Sequence, residues 1–375
     1  MTDQTLPAPG RMGRLAGRST LILGVLAAAF AVAAMAGPRY GLLLLIGLGF
    51  GMALEGFRFG FAGPWRAMIL RREPQGLLAQ LLAIGLVALV AFPLLQSNAG
   101  ELTGAHAPVG FAMIGGAFVF GAAMQVVLGC GSGTLVNAGS GNAVGALALV
   151  FFALGSFAGS LHLGWWTGLG SAPVMALSGL EGLGITLAAL AVVAVVVIRL
   201  GVPGGARLPR RLVWAALAIA ALAVLNLIVA GQPWGVVYGL GLWAAKGAQV
   251  VGMDVAANAF WAAPGNAERL ASSILTDVTS LTNLGILGGA FLVAAWRQGL
   301  SAPVAKLPLR AWGAVVVAGL LLGYSSRLAF GCNVGAFFSG VSTGSLHGWV
   351  WFVAAFAGSY YGIKLRPLLG LEPRP

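Results

Sequence analysis

Ionisable residues are scarce in this chain of 375 residues. Asp, Glu, Lys and Arg together make up 8% of the sequence, whereas 59% of the residues are hydrophobic. A water-soluble fold cannot cover that much apolar surface with so few charges, and apolar runs of membrane-spanning length recur along the chain. The alternating pattern of a transmembrane β-barrel is lacking. The composition therefore predicts an all-α, polytopic membrane protein surrounded by the lipid bilayer.

Cysteine is scarcer still, with two residues, Cys130 and Cys332. Neither belongs to a Cys-x-x-Cys pair, which argues against a disulfide framework and a cysteine zinc site. The sequence contains no nucleotide-binding loop, so it gives no sign of direct ATP use. No basic run is interleaved with aromatic residues, so nucleic acid is not an expected partner. The sequence thus predicts no metal, no cofactor and no enzyme activity.

Glycine, in contrast, is abundant, with 59 residues. In membrane helix bundles small residues allow close approach of backbones. They also permit broken helices and irregular loops at membrane depth, where such loops are buried in protein or line a polar cavity. We therefore expect a bundle in which some helices are interrupted.

Both cysteines lie in the same local frame, Gly-Cys-x-x-Gly. Each copy follows one long apolar helix pattern and precedes another. A single buried cysteine is most often a packing residue, but the duplicated frame favours a function for the pair. The two stretches are Gly129-Cys130-Gly131-Ser132-Gly133-Thr134 and Gly331-Cys332-Asn333-Val334-Gly335.

The distribution of Lys and Arg divides the chain into two membrane halves. The predicted parts are a cytoplasmic tail (1–19), a first membrane repeat (20–200), a basic linker (201–211), a second membrane repeat (212–366) and a C-terminal tail (367–375). The charge pattern makes helix 109–128 start outside and helix 310–328 start inside. The two repeats are then inverted, and their re-entrant cysteine loops meet near the membrane midplane, as in inverted-repeat transporters.

The stretch between residues 231 and 297 leaves the number of crossings open. It contains two apolar segments. Because residue 231 is predicted to lie outside and residue 297 inside, an odd number of crossings is required.

The chemistry of the two loops favours a small anion. Helix N-termini inside a membrane offer unpaired N–H groups and a favourable dipole, and a thiol adds a weak, polarizable donor. A terminal sulfur atom matches a thiol better than a phosphate oxygen does, so we expect a sulfur-containing anion. The neutral donors of the loops are Ser132, Thr134, Asn137, Asn142, Asn333, Ser339, Ser342 and Thr343. Helix capping is an equally good explanation for all of these except Ser342 and Thr343.

Charged residues also occur in a glycine-rich patch after the second apolar run. Glu55 and Arg58 are three residues apart, so they either neutralise each other or mark a functional charge within the membrane. The patch itself, residues 55–66, has the composition of a loop that dips into the membrane.

These stretches resemble the YeeE/YedE family of sulfur-compound transporters. The resemblance spans nearly the whole chain and is most specific at the two cysteine loops. It is carried by Gly323-Tyr324-Ser325-Ser326-Arg327-Leu328-Ala329-Phe330-Gly331-Cys332-Asn333-Val334-Gly335-Ala336-Phe337-Phe338-Ser339-Gly340, Gly344-Ser345-Leu346-His347-Gly348-Trp349, Gly129-Cys130-Gly131-Ser132-Gly133-Thr134-Leu135, Gly139, Gly141-Asn142 and Arg58-Phe59-Gly60-Phe61-Ala62-Gly63-Pro64-Trp65-Arg66.

The resemblance implies uptake of thiosulfate or a related ion through the bacterial inner membrane. The ion would pass between cysteines through S–H···S contacts without a large rocking motion, and a small cytoplasmic TusA-like sulfur carrier is an implied partner. The family's N-terminal motif commonly carries a third cysteine, where this sequence has Gly60; either the substrate differs or Gly60 leaves room for the ion. The expected substrate path comprises Glu55, Arg58, Gly60, Gly129, Cys130, Gly131, Ser132, Gly133, Thr134, Gly331, Cys332, Asn333 and Gly335.

Other functions compete with thiosulfate uptake. A membrane thiol oxidoreductase or sulfurtransferase would use the same cysteines, but the sequence lacks a Cys-x-x-Cys pair or another resolving cysteine. A permease for a selenium compound or another sulfur compound fits the same loops. A purely structural membrane subunit would leave the paired glycine loops unexplained.

Overall fold

The protein is almost entirely helical in a computed structural model that describes residues 11–298 and 307–373. Within these ranges, β-pairing is confined to two isolated bridges, Gly110 with Ser171 and Ala176 with Ser345. The start of the predicted N-terminal tail, part of the loop before residue 307 and the last two residues lie outside the described residues. The helices are α1 (Arg11–Ala36), α2 (Pro38–Gly56), α3 (Ala62–Arg71), α4 (Gln75–Ser97), α5 (Phe111–Val127), α6 (Gly131–Gly139), α7 (Ala143–Thr167), α8 (Gly179–Leu200), α9 (Arg210–Ala230), α10 (Val237–Val250), α11 (Ala259–Ala262), α12 (Pro264–Ala271), α13 (Val278–Gln298), α14 (Leu309–Leu328), α15 (Ser339–Ser342) and α16 (Leu346–Leu368).

Nine of the described helical stretches are long and apolar enough to cross a membrane. Two of them contain an interruption, since Phe111–Gly139 covers α5 and α6, and Leu309–Ser342 runs from α14 to α15. Because a bilayer core forces backbone polar groups to pair internally, helices are the expected form for such apolar runs. The chain is therefore a multi-pass membrane protein, as its composition predicts.

The stretch between residues 231 and 297 contains one helix of spanning length, Val278–Arg297. The other apolar segment forms α10, whose 14 residues extend about 21 Å at 1.5 Å per residue. That length falls short of a hydrocarbon core about 30 Å thick. A single crossing satisfies the odd number that the charge pattern requires.

Helix ends follow the glycine and proline positions. Gly37 has a φ of 115° and separates α1 from α2, which starts on Pro38, where the missing N–H costs nothing. The glycine-rich patch after α2 turns at Arg58, whose φ is 50°, and then forms the short helix α3. The part of the patch from Ala62 onward is therefore helix rather than loop.

Glycine lets three pairs of long helices touch through their backbones: α2 with α13, α5 with α16 and α7 with α14. A Cβ at Gly121 of α5 would overlap the carbonyl oxygen of Ala355 in α16, and one at Gly323 of α14 would overlap that of Phe152 in α7. In lipid the hydrophobic effect does not hold helices together, so van der Waals packing at such close contacts stabilises the bundle.

The two halves of the chain pack crosswise. The short helix α6 packs on α7 and on α13, whereas α15 packs on α16 and on α4. Each short helix thus contacts one long helix of its own half and one of the other half. This arrangement brings the two cysteine loops, which precede α6 and α15, to the same place in the bundle.

Candidate functional site

The two cysteine loops begin with the same backbone turn. Leu128 (φ 55°) and Phe330 (φ 56°) both adopt the left-handed conformation, which bulky residues rarely do. Each lies two residues before its cysteine and ends a long helix. The matched strain shows that the duplicated sequence frame produces a duplicated local structure.

Each cysteine is the N-cap residue of the helical segment that follows it. Cys130 precedes α6, and Cys332 precedes a π-helical segment, Asn333–Phe338, which leads into α15. The N-terminal N–H groups of both segments therefore lie next to the thiols. π-helical turns of this kind occur frequently at functional sites.

The two loops are in direct contact. A Cβ placed on Gly131 would lie 2.8 Å from Sγ of Cys332 and 3.5 Å from Cγ1 of Val236. Both cysteines are fully buried and carry free thiols. The residue after one thiol thus forms the wall against which the other thiol packs, so Gly131 has no room for a side chain.

The Cys130 thiol has polar neighbours. Its Sγ lies 3.4 Å from Oγ of Ser132 and accepts a hydrogen bond from the N–H of Gly133 at 3.4 Å. The hydroxyl of Thr134 donates to the carbonyl of Cys130 at 2.7 Å, and Asn142 accepts from Gly145 at the start of α7. Asn142 therefore caps α7, and the Thr134 hydroxyl bonds back within its own helix, whereas the Ser132 hydroxyl stays beside the sulfur.

Next to the Cys332 thiol, the amide of Asn333 is fully buried. Neither its Nδ2 nor its Oδ1 has a hydrogen-bond partner among the described residues. An unpartnered buried polar group is costly, about 1–3 kcal/mol, and calls for an explanation such as a missing ligand.

A cavity of about 330 Å³ opens on one side of the contact, and we call it the Cys130-side cavity. Gly60 lines it beside Cys130, and a Cβ at Gly60 would meet no atom within 4 Å. Gln80 fixes this position, because its amide donates to the Gly60 carbonyl at 2.8 Å and accepts from the Trp65 indole. Further lining residues are Glu55, Arg58, Gly129, Ser132 and Gly133.

A larger cavity of about 520 Å³, the Cys332-side cavity, reaches Gly331 and Gly335 of the second loop. Its walls come from the loop before α5, from α14 and from the segment that begins at residue 231. Polar residues in these walls are His106, Gln232, Tyr238, Asn266, Arg269, Thr279, Ser326, Arg327 and His347.

Arg327 is the more deeply buried of the two arginines that line the Cys332-side cavity. It is 7% exposed and donates to the Ser156 hydroxyl at 3.1 Å. Its guanidinium lies 5.5 Å from the ring centre of Tyr238, and a Cβ at Gly241 would overlap it. None of the ion pairs between described residues includes Arg327. A buried cation without a carboxylate partner is an attractive site for an anion.

The structure divides the predicted path residues into two groups. Glu55, Arg58 and Gly60 join the Cys130 loop at one cavity, and Gly331 and Gly335 line the other. Cys332 and Asn333 are fully buried and are not among the described lining residues of either cavity. Sequence reasoning did not place Arg327 and Arg269 at the site, although both line the Cys332-side cavity. An arginine near the end of an apolar helix, with no acidic residue close in sequence, was a signal for the first.

Comparisons with known proteins agree with this architecture. The family model described as Sulphur transport matches residues 57–361. A probable transporter YedE of Escherichia coli (strain K12) is 34% identical over 100 residues, which is 27% of this chain and 25% of that protein, and a YedE of Salmonella typhimurium matches over the same shares. The chain thus matches about a quarter of the length of these YedE relatives.

A relative of fuller coverage is the thiosulfate transporter TsuA of Spirochaeta thermophila. It is 26% identical over 343 residues, 84% of this chain and 96% of that protein. Together with the match of the family model over most of the chain, this confirms the resemblance found in the sequence: the protein belongs to the YeeE/YedE sulphur transport family.

Proposed function

We propose that this protein carries a small sulfur-containing anion, foremost thiosulfate, across the bacterial inner membrane. The ion moves between the two cavities through the contact of the cysteine loops. Cys130 and Cys332 serve as successive thiol contact sites, and no covalent bond to the ion is formed.

The observation that carries this proposal is the position of the Cys332 sulfur against Gly131. It makes the two loops neighbours, and each loop also borders a cavity. A thiol can donate to the terminal sulfur of thiosulfate, and the N-terminal N–H groups of α6 and of the π-helical segment favour its negative charge. A soft anion leaving one thiol therefore meets the next at once.

Arg327 supports entry of an anion from the Cys332-side cavity. Its buried, unpaired charge attracts the ion, while the neutral donors further in allow it to be released. The amide of Asn333, which has no hydrogen-bond partner among the described residues, supplies a further donor in the Cys332 loop.

The crosswise packing of α6 and α15 supports the predicted pair of inverted repeats, with the membrane segments 20–200 and 212–366 joined by the basic linker 201–211. In this interpretation the cysteine loops meet near the midplane, as in other inverted-repeat transporters. The tails 1–19 and 367–375 and the Cys130-side cavity then face the cytoplasm, where a TusA-like sulfur carrier would receive the product.

Uptake by proteoliposomes tests the proposal. The variants Cys130→Ala and Cys332→Ala are expected to lower thiosulfate uptake at least tenfold while folding normally. Ser359→Ala is the matched control, because it also removes one buried heavy atom, on α16, and should transport normally. Normal uptake by the double cysteine variant would contradict the proposal.

Parallel arms with sulfite, sulfide and selenium analogues define the substrate. If one of these ions is taken up and thiosulfate is not, the proposed substrate changes but the proposed path through the cysteine loops stands. Thiol trapping followed by mass spectrometry separates transport from catalysis, since a Cys130–Cys332 disulfide or a stable persulfide during turnover would favour a thiol oxidoreductase or a sulfurtransferase.

Gly60 offers a separate test of the missing third cysteine. The open space at its Cα predicts that Gly60→Cys folds as well as the wild type and that the new thiol is reached by a thiol reagent from the Cys130-side cavity. Gly76→Cys is the matched control, because a Cβ there would lie 2.7 Å from Cβ of Pro64 and should destabilise the protein. Failure of the reagent to label the introduced thiol in the folded Gly60→Cys variant would show that Gly60 does not face the path.

A further inference from the structure

An apolar groove separates α8 from the rest of the bundle. Helix α8 packs on α4, but its other side faces α3 and α16 across a cavity of about 740 Å³. Val192 and Val196 of α8 remain 64% and 49% exposed there. The groove is lined by Met68, Ile69, Arg72, Leu77, Val192, Val193, Val196, Val197, Arg199, Leu200, Gly201, Phe352, Val353, Phe356 and Ala357.

Two arginines, Arg72 and Arg199, lie at one end of the groove. The neighbouring Arg71 is paired with Glu73 at 2.7 Å. Arg72 and Arg199, in contrast, donate no hydrogen bond and form no ion pair within the described ranges. The remaining lining is apolar, so the groove has a charged end and a hydrophobic length.

The local backbone fixes the charged end. The N–H of Val202 donates to the carbonyl of Arg72 at 2.9 Å, and Arg72 itself adopts a left-handed conformation with a φ of 54°. A Cβ at Gly205 would lie 2.8 Å from Cδ of Pro74. The turn after α3 is thus docked tightly on the turn after α8, and each turn begins with one of the two arginines.

An anionic phospholipid matches this combination of features. Guanidinium groups bind phosphate through paired, charge-assisted hydrogen bonds, and an acyl chain gains free energy for each methylene that it buries. The groove lies along Val192–Leu200, within a stretch that spans the membrane, so a water-soluble partner cannot enter it. Basic pockets at the ends of transmembrane helices commonly hold lipid headgroups.

We propose that an anionic phospholipid binds in the α8–α16 groove, with its phosphate between Arg72 and Arg199 and an acyl chain along Val196 and Phe356. The bound lipid holds α8 against the bundle. The lipid also contacts the Cys332 loop indirectly, because Phe352 in the groove stacks on Phe337 of the π-helical segment, with 4.6 Å between the ring centres. This proposal is independent of which ion the protein transports.

Native mass spectrometry and thermal unfolding of the delipidated full-length protein test the site. Phosphatidylglycerol should bind and raise the melting temperature, whereas phosphatidylcholine should do neither. In the double variant Arg72→Gln/Arg199→Gln, the dissociation constant for phosphatidylglycerol should rise at least tenfold. Val196→Trp should have the same effect by filling the groove with the charges intact.

The matched control is Arg210→Gln/Arg211→Gln, which removes two basic residues at the start of α9 outside the groove and should bind phosphatidylglycerol like the wild type. The proposal is overturned if both lipids stabilise equally or if the control pair loses binding as fully as the test pair. It is also overturned if inorganic phosphate alone raises the melting temperature as much as phosphatidylglycerol does. A third contrary result would be that the wild type is a dimer in native mass spectrometry and that Val196→Trp abolishes this dimer while lipid binding is unchanged.

Discussion

The two cysteine loops begin with the same backbone turn but differ in their surroundings. Both start from a left-handed residue and place the cysteine at the N-terminus of a helical segment. Cys130 has a hydroxyl and an N–H within 3.4 Å of its sulfur. In the residue after Cys332, in contrast, the amide of Asn333 has no hydrogen-bond partner within the described ranges. One loop is locally satisfied, and the other has bonding capacity for a ligand.

The long helices that precede the two loops, α5 and α14, differ in the same way. The C-terminal carbonyls of α5, at Gln125 and Val126, accept hydrogen bonds from Arg366, which is paired with Glu372 at 2.7 Å. Near the end of α14, Arg327 forms no ion pair with any carboxylate in the part of the chain that the structure describes. A duplicated sequence frame therefore repeats the starting turn, while the charges around it distinguish a side with an unpaired arginine, within the described part of the chain, from a side with paired charges.

The largest expected effect comes from separating the loops. Gly131→Val places a side chain where a Cβ alone would lie 2.8 Å from Sγ of Cys332, so thiosulfate uptake should fall below detection. Gly133→Ala is the matched control, since its Cβ would meet Cys130 Sγ at an ordinary 3.6 Å. Equal uptake by both variants in proteoliposomes would show that contact between the loops is not needed.

Next in size is the loss of the unpaired charge on the Cys332 side. Arg327→Gln should raise the KM for thiosulfate about tenfold or more, because hydrogen bonds to charged groups contribute about 1.5–3 kcal/mol. Arg327→Lys keeps the charge and should recover part of the affinity. An unchanged KM in the folded Gln variant would remove Arg327 from the path and leave it as a packing residue.

A smaller effect, with opposite signs in two measurements, is expected at Asn333. Replacing its unpartnered amide by a side chain of similar size in Asn333→Leu should stabilise the fold by about 1–3 kcal/mol and lower uptake several-fold. Ser339→Ala is the control, because the Ser339 hydroxyl donates to the Trp234 carbonyl at 2.7 Å and its loss should destabilise the fold. If Asn333→Leu were less stable than the wild type, the amide would have a structural partner instead of a ligand.

The smallest effect concerns the paired charges on the Cys130 side. Burial alone would raise the pKa of Glu372, but Arg366 and Arg66 outweigh it and hold that pKa below the usual 4.5. A depressed pKa stabilises the folded state above the unfolded value, and this contribution is lost as the pH falls through the folded value. Glu372→Gln should therefore cost about 1 kcal/mol at pH 7 and nothing at acid pH.

Unfolding in detergent as a function of pH, compared with the wild type, measures this difference. The same loss at pH 7 and at acid pH would mean that the carboxylate charge does not contribute.

Much of the fold was predictable because apolar runs in a bilayer have few alternatives to helices. The predicted helix 109–128 is observed as Phe111–Val127, and the predicted helix 310–328 as Leu309–Leu328. The site was predicted less completely. The frame around Cys130 and Cys332 was readable as a repeat, but the partners of Arg327 come from α7 and α10, far away in sequence.

The sequence by itself determined that the protein lies in a membrane, that its helices are interrupted at two glycine-rich turns and that each turn carries one thiol. Composition and local backbone preferences suffice for these properties. Only the tertiary structure decided that Cys332 packs against Gly131. It also decided that, among the described residues, Asn333 has no hydrogen-bond partner and Arg327 has no counter-ion. Those properties depend on which helices touch across the two halves, and the glycine content predicts that helices pack closely without telling which ones pair.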